Sequence, residues 1–191
     1  MFFNVFLSVF VTTNFLGTIP IFLALTKNDS KNARRRVGNV AVFTATTIIL
    51  SFVFFGFSLM KFLGISFESF KVSGGIILMI VALEMIFTFQ KIGETVERKN
   101  VAVCPLGIPL LSGAGVISLA IVFFQNAANF LEKAVVILGI LAAMFVGWIS
   151  FFFAEKIYQL LRKDGIVALE KISGIFLAAI AVEMILSVLF F

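Results

Sequence analysis

The chain has 191 residues, of which 61% are hydrophobic and 13% are charged, and its formal net charge is +5. Soluble domains average about 45–50% apolar and about 25% charged residues, so this composition excludes an ordinary soluble domain and favours one that lies in lipid. The sequence has no histidine and one cysteine, so the usual general base, the commonest transition-metal ligand and any intramolecular disulfide are missing. We therefore predict a single membrane domain over residues 1–191 with no metal, no cofactor and no enzymatic activity.

Six runs with few or no charges follow one another along the chain. About 20 apolar residues cross the hydrocarbon core, and backbone groups in lipid must pair internally, so each run is predicted to be a membrane-spanning helix. The first run, MFFNVFLSV, lacks a basic region before it and is predicted to be a span and not a cleaved signal peptide. The fold class is therefore an all-α integral membrane protein with six spans. The six runs cover residues 1–26, 37–60, 72–90, 100–131, 134–154 and 172–191.

The basic residues lie almost entirely on one side of this topology. Loops 27–36, 91–99 and 155–171 carry twelve Lys and Arg residues, and the other side carries three. Because cytoplasmic loops are rich in Lys and Arg, we predict that both termini lie outside the cytoplasm. The cluster Arg34-Arg35-Arg36 is open to a lipid-binding or nucleic-acid interpretation. Its position beside a span favours an orientation signal, and we expect no nucleic-acid partner.

Two pairs of spans resemble each other in sequence. SGGIILMIVALEMI (73–86) aligns without gaps with ISGIFLAAIAVEMI (172–185), and LGTIPIFL (16–23) aligns with LGIPLL (106–111). Three helices per copy force the second copy to be inverted in the membrane. The alignment therefore predicts two inverted three-helix repeats, residues 1–95 and 100–191, which is a transporter architecture.

Helix breakers occur at corresponding places in the first and fourth spans, which hold all three prolines of the chain. Interrupted helices free N–H groups that suit a carboxylate and carbonyl groups that suit an ammonium, so both spans are predicted to be broken or kinked around a substrate site. The alternative is that the prolines only kink the helices and the glycines only allow packing, which is the role that we favour for Gly74, Gly75 and Gly174. The predicted substrate-binding residues are Asn14, Gly17, Thr18, Pro20, Pro105, Pro109, Ser112, Gly113 and Gly115.

Glu84 and Glu183 are the charged residues inside the predicted spans, and they occupy equivalent repeat positions. A carboxylate at membrane depth is costly and usually faces the protein interior, where burial favours its protonated form. We therefore predict that the pair carries coupling protons. The alternative is that both reach the headgroups or pair with a basic residue such as Lys91.

Several motifs together resemble the MarC/SnatA family of multi-pass membrane proteins across essentially the whole chain. They are Asn14-x-x-Gly17-x-x-Pro20, Gly64-Ile65-Ser66, Ser73-Gly74-Gly75, Pro105-Leu106-x-Ile108-Pro109-Leu110-Leu111-x-Gly113-x-Gly115 and Ser173-Gly174-Ile175. The resemblance implies six helices in the inner membrane of a prokaryote, a likeness to LysE-type exporters and, for some members, proton-driven transport of small neutral amino acids such as glycine, alanine and serine.

The chain departs from the family pattern at both predicted breaks. Family members commonly have proline after the first asparagine and between the two glycines of the fourth span, where this chain has Phe15 and Ala114. The breaks then either survive on Gly17 and on Gly113 and Gly115, or become softer bends.

Three functions remain open from the sequence. A secondary transporter of small neutral amino acids agrees best with the paired breaks. An exporter or channel for another small solute, and a non-transporting structural or assembly protein, are the alternatives. The expected partners are the amino-acid substrate, the lipid bilayer and a second copy in a homo-oligomer.

Overall fold

The computed structural model describes residues 1–26, 28–87 and 111–189, and this part of the chain is helical and contains no β-strand. The predicted all-α class is confirmed over these residues. The helices are α1 (Phe2–Thr13), α2 (Phe15–Leu25), α3 (Lys31–Phe62), α4 (Phe67–Phe87), α5 (Ala114–Gln125), α6 (Phe130–Phe152) and α7 (Ala154–Leu189).

Five stretches in the described ranges are long and apolar enough to cross a membrane. A sixth apolar helix, α5, has only 12 residues, or about 18 Å of helix, and is too short to span alone. The described part of the predicted fourth span is therefore a half-length helix. The five stretches are Phe2–Ile19, Lys31–Phe62, Phe67–Phe87, Phe130–Phe152 and Lys171–Leu189.

The turn between α3 and α4 is fixed by glycine. Gly64 has φ +70°, a conformation that costs glycine little, and its N–H donates to the Lys61 carbonyl while the Ile65 N–H donates to that of Met60. Ser66 then accepts from the Ser69 N–H at 3.1 Å and begins α4. The motif Gly64-Ile65-Ser66 thus ends one helix and starts the next.

Two predicted boundaries are wrong. The turn expected at residues 132–133 lies at 126–129, because Asn129 caps α6 by accepting from the Glu132 N–H at 2.9 Å. The loop expected at 155–171 is helical, and α7 is one helix of 36 residues separated from α6 by Phe153. Charged residues in that stretch suggested a loop, but the sequence from Ala154 onwards contains no proline that would stop a helix.

Two clusters of buried side chains hold the helices together. The larger cluster joins α1, α2, α3, α5, α6 and the start of α7, and the smaller one joins α4, α5 and the later part of α7. Val116 and Ala120 of α5 belong to the first, whereas Leu119 and Val122 belong to the second. The short helix α5 therefore lies between the two clusters and brings its N-terminus against α4.

Candidate functional site

The first predicted break is present and falls at Asn14. This residue has φ 49° and ψ 47°, the left-handed conformation that asparagine tolerates better than most residues, and it ends α1. Its side-chain Oδ1 accepts from the Gly17 N–H at 3.2 Å, which caps the first turn of α2. A single residue therefore ends one helix and begins the next.

Gly17 is required by the same arrangement. A Cβ atom at this position would lie 2.4 Å from Asn14 Nδ2 and 2.7 Å from Asn14 Oδ1, so any other residue would displace the capping side chain. The spacing Asn-x-x-Gly is thus explained by one hydrogen bond and one steric contact. Asn14 Nδ2 also donates to Met85 Sδ of α4 at 3.6 Å, which ties the interruption to the neighbouring helix.

Three threonines surround the interruption, and all three are buried. Thr13 donates to the Val9 carbonyl at 2.6 Å, and Thr18 donates to the Asn14 carbonyl at 2.9 Å. Thr12 Oγ1 is buried and has no hydrogen-bond partner among the described residues. An unpaired buried hydroxyl costs free energy, so this group is a candidate contact for a polar ligand. Thr12 is not among the substrate-binding residues predicted from the sequence.

The second interruption lies at Gly113. Its backbone is extended, with φ −61° and ψ 159°, and it is the N-cap residue of α5. Gly115 is the second residue of α5, and a Cβ there would lie 2.3 Å from Leu78 Cδ2 of α4. Ser112 and Ser118 flank this start and are buried. A Cβ at Gly74 of α4 would lie 2.5 Å from the Ser118 Oγ atom, so these helices touch closely.

The two interruptions lie against the same helix but at different levels. Asn14 contacts Met85, whereas Gly115 packs against Leu78. These two positions are seven residues, or about 10 Å, apart along α4. Both interruptions therefore contact α4, at two different points along its axis.

The break survives the replacement of the family's proline by Phe15. This side chain is buried, and its ring is edge-on to Phe151 at 5.5 Å. It fills a notch at Gly147 of α6, where a Cβ would lie 2.0 Å from the ring. The family proline is therefore not needed for a helix interruption here, since Asn14 supplies the left-handed residue and Phe15 anchors the start of α2. The Ala114 side chain lies outside the described part, and Gly113 retains its non-helical backbone.

The structure describes one of the three prolines that were predicted to bind substrate. The helix α2 continues through Pro20, so the break predicted in the first span lies at Asn14 and not at this proline. The reason is that the asparagine conformation and its cap already define the helix end, six residues earlier. Pro105 and Pro109 lie outside the described residues.

The glycines Gly74, Gly75 and Gly174 lie where α4 touches its neighbours. A Cβ at Gly75 would lie 2.9 Å from the Ala181 carbonyl oxygen and 2.8 Å from Ile185 of α7. A Cβ at Gly174 would lie 3.1 Å from the Ala82 carbonyl oxygen and 2.9 Å from Ile86 of α4. The two helices approach closely at both ends of their crossing.

Glu84 and Glu183 are exposed on the surface of the described chain. The expectation that they face the protein interior is therefore wrong. They follow Leu83 and Val182, which are also exposed, while the buried residues of the same turns are Ala82, Met85, Ala181 and Met184. The crossing of α4 and α7 buries alanine and methionine and turns both carboxylates outward. The described residues contain no cluster of side chains that could hold a metal ion.

Comparisons with known proteins agree with this architecture. The family described as MarC family integral membrane protein matches residues 1–190. The chain is 34% identical over 189 residues to the UPF0056 membrane protein MJ1677 of Methanocaldococcus jannaschii, covering 95% of this chain and 92% of the relative. It is 29% identical over 197 residues to the UPF0056 membrane protein YhcE of Escherichia coli, covering 98% and 91%.

A third relative, the UPF0056 membrane protein of Aquifex aeolicus, is 31% identical over 194 residues, with 97% of this chain and 90% of the relative covered. These names describe membrane proteins and indicate no enzymatic activity. No solved structure matches the chain significantly. The full-length match, the apolar helices and the relatives together show that this chain belongs to the MarC family of integral membrane proteins.

Proposed function

We propose that the protein is a secondary transporter of small neutral amino acids such as glycine, alanine and serine. The observation that carries the proposal is the interruption at Asn14, with the buried hydroxyl of Thr12, which has no hydrogen-bond partner in the described ranges, two residues before it. A membrane helix tolerates non-helical backbone only where protein or a water-filled cavity covers it. Such interruptions mark the substrate sites of transporters.

The chemistry at the interruption suits a zwitterion. The C-terminal carbonyls of α1 and the N-terminal N–H groups of α2 come within one residue of each other at Asn14, so partial negative and partial positive charge are adjacent. The carbonyls suit an ammonium group and the N–H groups suit a carboxylate. The second interruption, at Gly113, adds another helix N-terminus beside α4. A small side chain is favoured because Phe15 and Ile19, which follow Asn14 on α2, are buried.

Reciprocal contacts between α4 and α7 support the two inverted repeats. Gly75 contacts Ile185, and the aligned residues Gly174 and Ile86 make the corresponding contact in the opposite direction. Gly75 to the Ala181 carbonyl and Gly174 to the Ala82 carbonyl form a second such pair. In each pair, the second contact is obtained from the first by replacing each residue with its aligned counterpart on the other helix. Such reciprocal contacts are expected when equivalent antiparallel helices cross on a two-fold axis. Two related halves provide two conformations of similar energy for alternating access.

The proposal includes proton coupling through Glu84 and Glu183 and an inner-membrane location with both termini outside the cytoplasm. A carboxylate within a membrane span is energetically costly, so residues of this kind usually have a function. Both carboxylates are exposed on the surface of the described chain, at equivalent positions of the two aligned stretches.

The test is uptake into proteoliposomes. Purified protein is reconstituted and supplied with radiolabelled glycine, alanine, serine or leucine, with and without an imposed pH gradient. The proposal expects saturable uptake of the three small amino acids, counterflow with unlabelled substrate and stimulation by the gradient. Non-saturating flux would instead indicate a channel, and the absence of any flux, with the protein folded, would indicate a structural role.

A further inference from the structure

A cavity of about 260 Å³ opens where α3 begins, α6 ends and α7 begins, and neither helix interruption lines it. Among the described residues, four cationic side chains line it, those of Lys31, Arg34, Arg35 and Lys156, against one carboxylate, Glu155. An excess of cations in a concave site attracts an anion. The cavity is separate from the proposed substrate site and has no role in the transport mechanism described above.

Arg34 of α3 and Glu155 of α7 neutralise each other, and their contact joins these two helices at the cavity. Arg34 forms an ion pair with Glu155, and its Nη2 donates to the Thr26 carbonyl at 3.0 Å. The described lining therefore offers no carboxylate to balance the three remaining cations. Arg35 lies 4.4 Å above the Phe152 ring, and Lys156 Nζ lies 5.8 Å from that of Phe153. Contacts with these rings hold both cations at the edge of the cavity.

The inner wall of the same cavity is apolar. Phe22 and Phe151 line it with their rings stacked at 4.7 Å between centroids. Gly38 lines the wall beside them, and a Cβ there would be in ordinary contact with the Phe22 ring and with the Phe151 Cβ atom. A fully hydrated inorganic anion gains nothing from such a wall, whereas an amphiphile with an anionic head and an apolar body contacts both parts.

The cavity continues into an apolar groove of about 540 Å³ between α3 and α6. Asn39 and Trp148 line both, and Trp148 Nε1 donates to Asn39 Oδ1 at 2.7 Å where they meet. The groove runs from Asn39 to Thr46 on α3 and from Trp148 to Leu141 on α6. Each stretch is seven residues, or about 10 Å along its helix. The groove therefore leads from the basic cavity into the apolar part of both spans.

We propose that this cavity and groove together bind one anionic phospholipid. Lys31, Arg35 and Lys156 contact the phosphate, and an acyl chain lies in the groove against Val40, Phe43 and Phe145. Basic pockets between membrane helices are suited to anionic headgroups. We choose a lipid over free phosphate as the occupant because the apolar groove beside the basic cavity can hold an acyl chain, which phosphate lacks.

Native mass spectrometry of the detergent-solubilised protein tests the headgroup contacts. The protein is titrated with phosphatidylglycerol and with phosphatidylcholine that carries the same acyl chains. We expect preferential binding of the anionic lipid, and a loss of roughly fivefold in its affinity for each charge removed in Arg35→Gln and Lys156→Gln. Arg36→Gln and Lys171→Gln, exposed cations outside the cavity lining, are the matched controls and should keep wild-type affinity.

Val40→Trp tests the groove, because it fills space that the acyl chain needs. Val40 is 37% exposed and Val81, on the lipid-facing side of α4, is 38% exposed, so Val81→Trp is the control. We expect Val40→Trp alone to weaken phosphatidylglycerol binding, and inorganic phosphate to compete poorly. Equal binding of both lipids, equal effects of variants and controls, or full displacement of the lipid by inorganic phosphate would overturn the proposal.

Discussion

The interruption at Asn14 and the crossing of α4 with α7 meet at Met85, yet they use small and polar residues for opposite purposes. At the interruption, a left-handed asparagine and Gly17 stop one helix and start another, and the Thr12 hydroxyl has no partner in the part of the chain that the structure describes. At the crossing, Gly75 and Gly174 lie inside regular helices and let the backbones touch. Glycine at the first place permits an irregular backbone, and at the second it permits close packing.

Because of this difference, substitutions at the two places should affect different measured quantities. Substitutions at the crossing should change stability and leave substrate affinity alone, because those residues contact other helices. The residues at the interruption are of two kinds. Some hold the helices around it in place, and their substitution should lower stability. Others have polar groups that are available to a ligand, and their substitution should lower substrate affinity.

The largest effect is expected from Phe15→Ala. This side chain is 1% exposed and fills the notch at Gly147, so its removal leaves a cavity between α2 and α6. We expect a loss of about 3–5 kcal/mol in the free energy of unfolding, measured by SDS titration in mixed micelles. Phe55→Ala removes a ring that is 71% exposed and should change it by less than about 0.5 kcal/mol. Similar effects of the two variants would show that Phe15 does not anchor the interruption.

The class of fold, the spans and the place of the first interruption were predictable from the sequence, because long apolar runs and clustered breakers have few structural interpretations in lipid. The residue responsible was not predictable from prolines. Pro20 is the strongest local breaker by type, yet the left-handed backbone of Asn14 ends the helix first. The outward orientation of Glu84 and Glu183 was also missed, since it depends on which face of α4 packs on α7, and the residues at equivalent repeat positions do not reveal that face.

A smaller effect is expected from Gly75→Ala and Gly174→Ala. Each Cβ would lie about 3 Å or less from a side-chain atom of the facing helix and close to a carbonyl oxygen, which overpacks the crossing. We expect each to lower the free energy of unfolding by about 1–3 kcal/mol, and the two by similar amounts because their contacts are reciprocal. Gly38→Ala, where a Cβ would make ordinary contacts at 3.5 Å, is the control and should be neutral or slightly stabilising. A large inequality between the first two would argue against equivalent repeats.

Glu84→Gln tests proton coupling. With one coupled proton, a pH gradient of one unit supports at most about tenfold accumulation of substrate, equivalent to about 1.4 kcal/mol. We expect Glu84→Gln to abolish gradient-driven accumulation in proteoliposomes while counterflow continues. Glu68→Gln, which alters an exposed carboxylate in the first turn of α4, should leave accumulation unchanged. Accumulation by Glu84→Gln at the wild-type level would remove this residue from the coupling mechanism.

The most direct test of the central claim compares Thr12→Val with Thr13→Val in saturable alanine uptake. Both threonines are buried and adjacent, but Thr13 donates to the Val9 carbonyl and Thr12 has no partner among the described residues. If Thr12 contacts the substrate, losing that hydrogen bond should raise KM by roughly 3- to 10-fold without lowering stability, whereas Thr13→Val should leave KM unchanged. Equal KM values for wild type and both variants, with uptake intact, would contradict a substrate site at the Asn14 interruption.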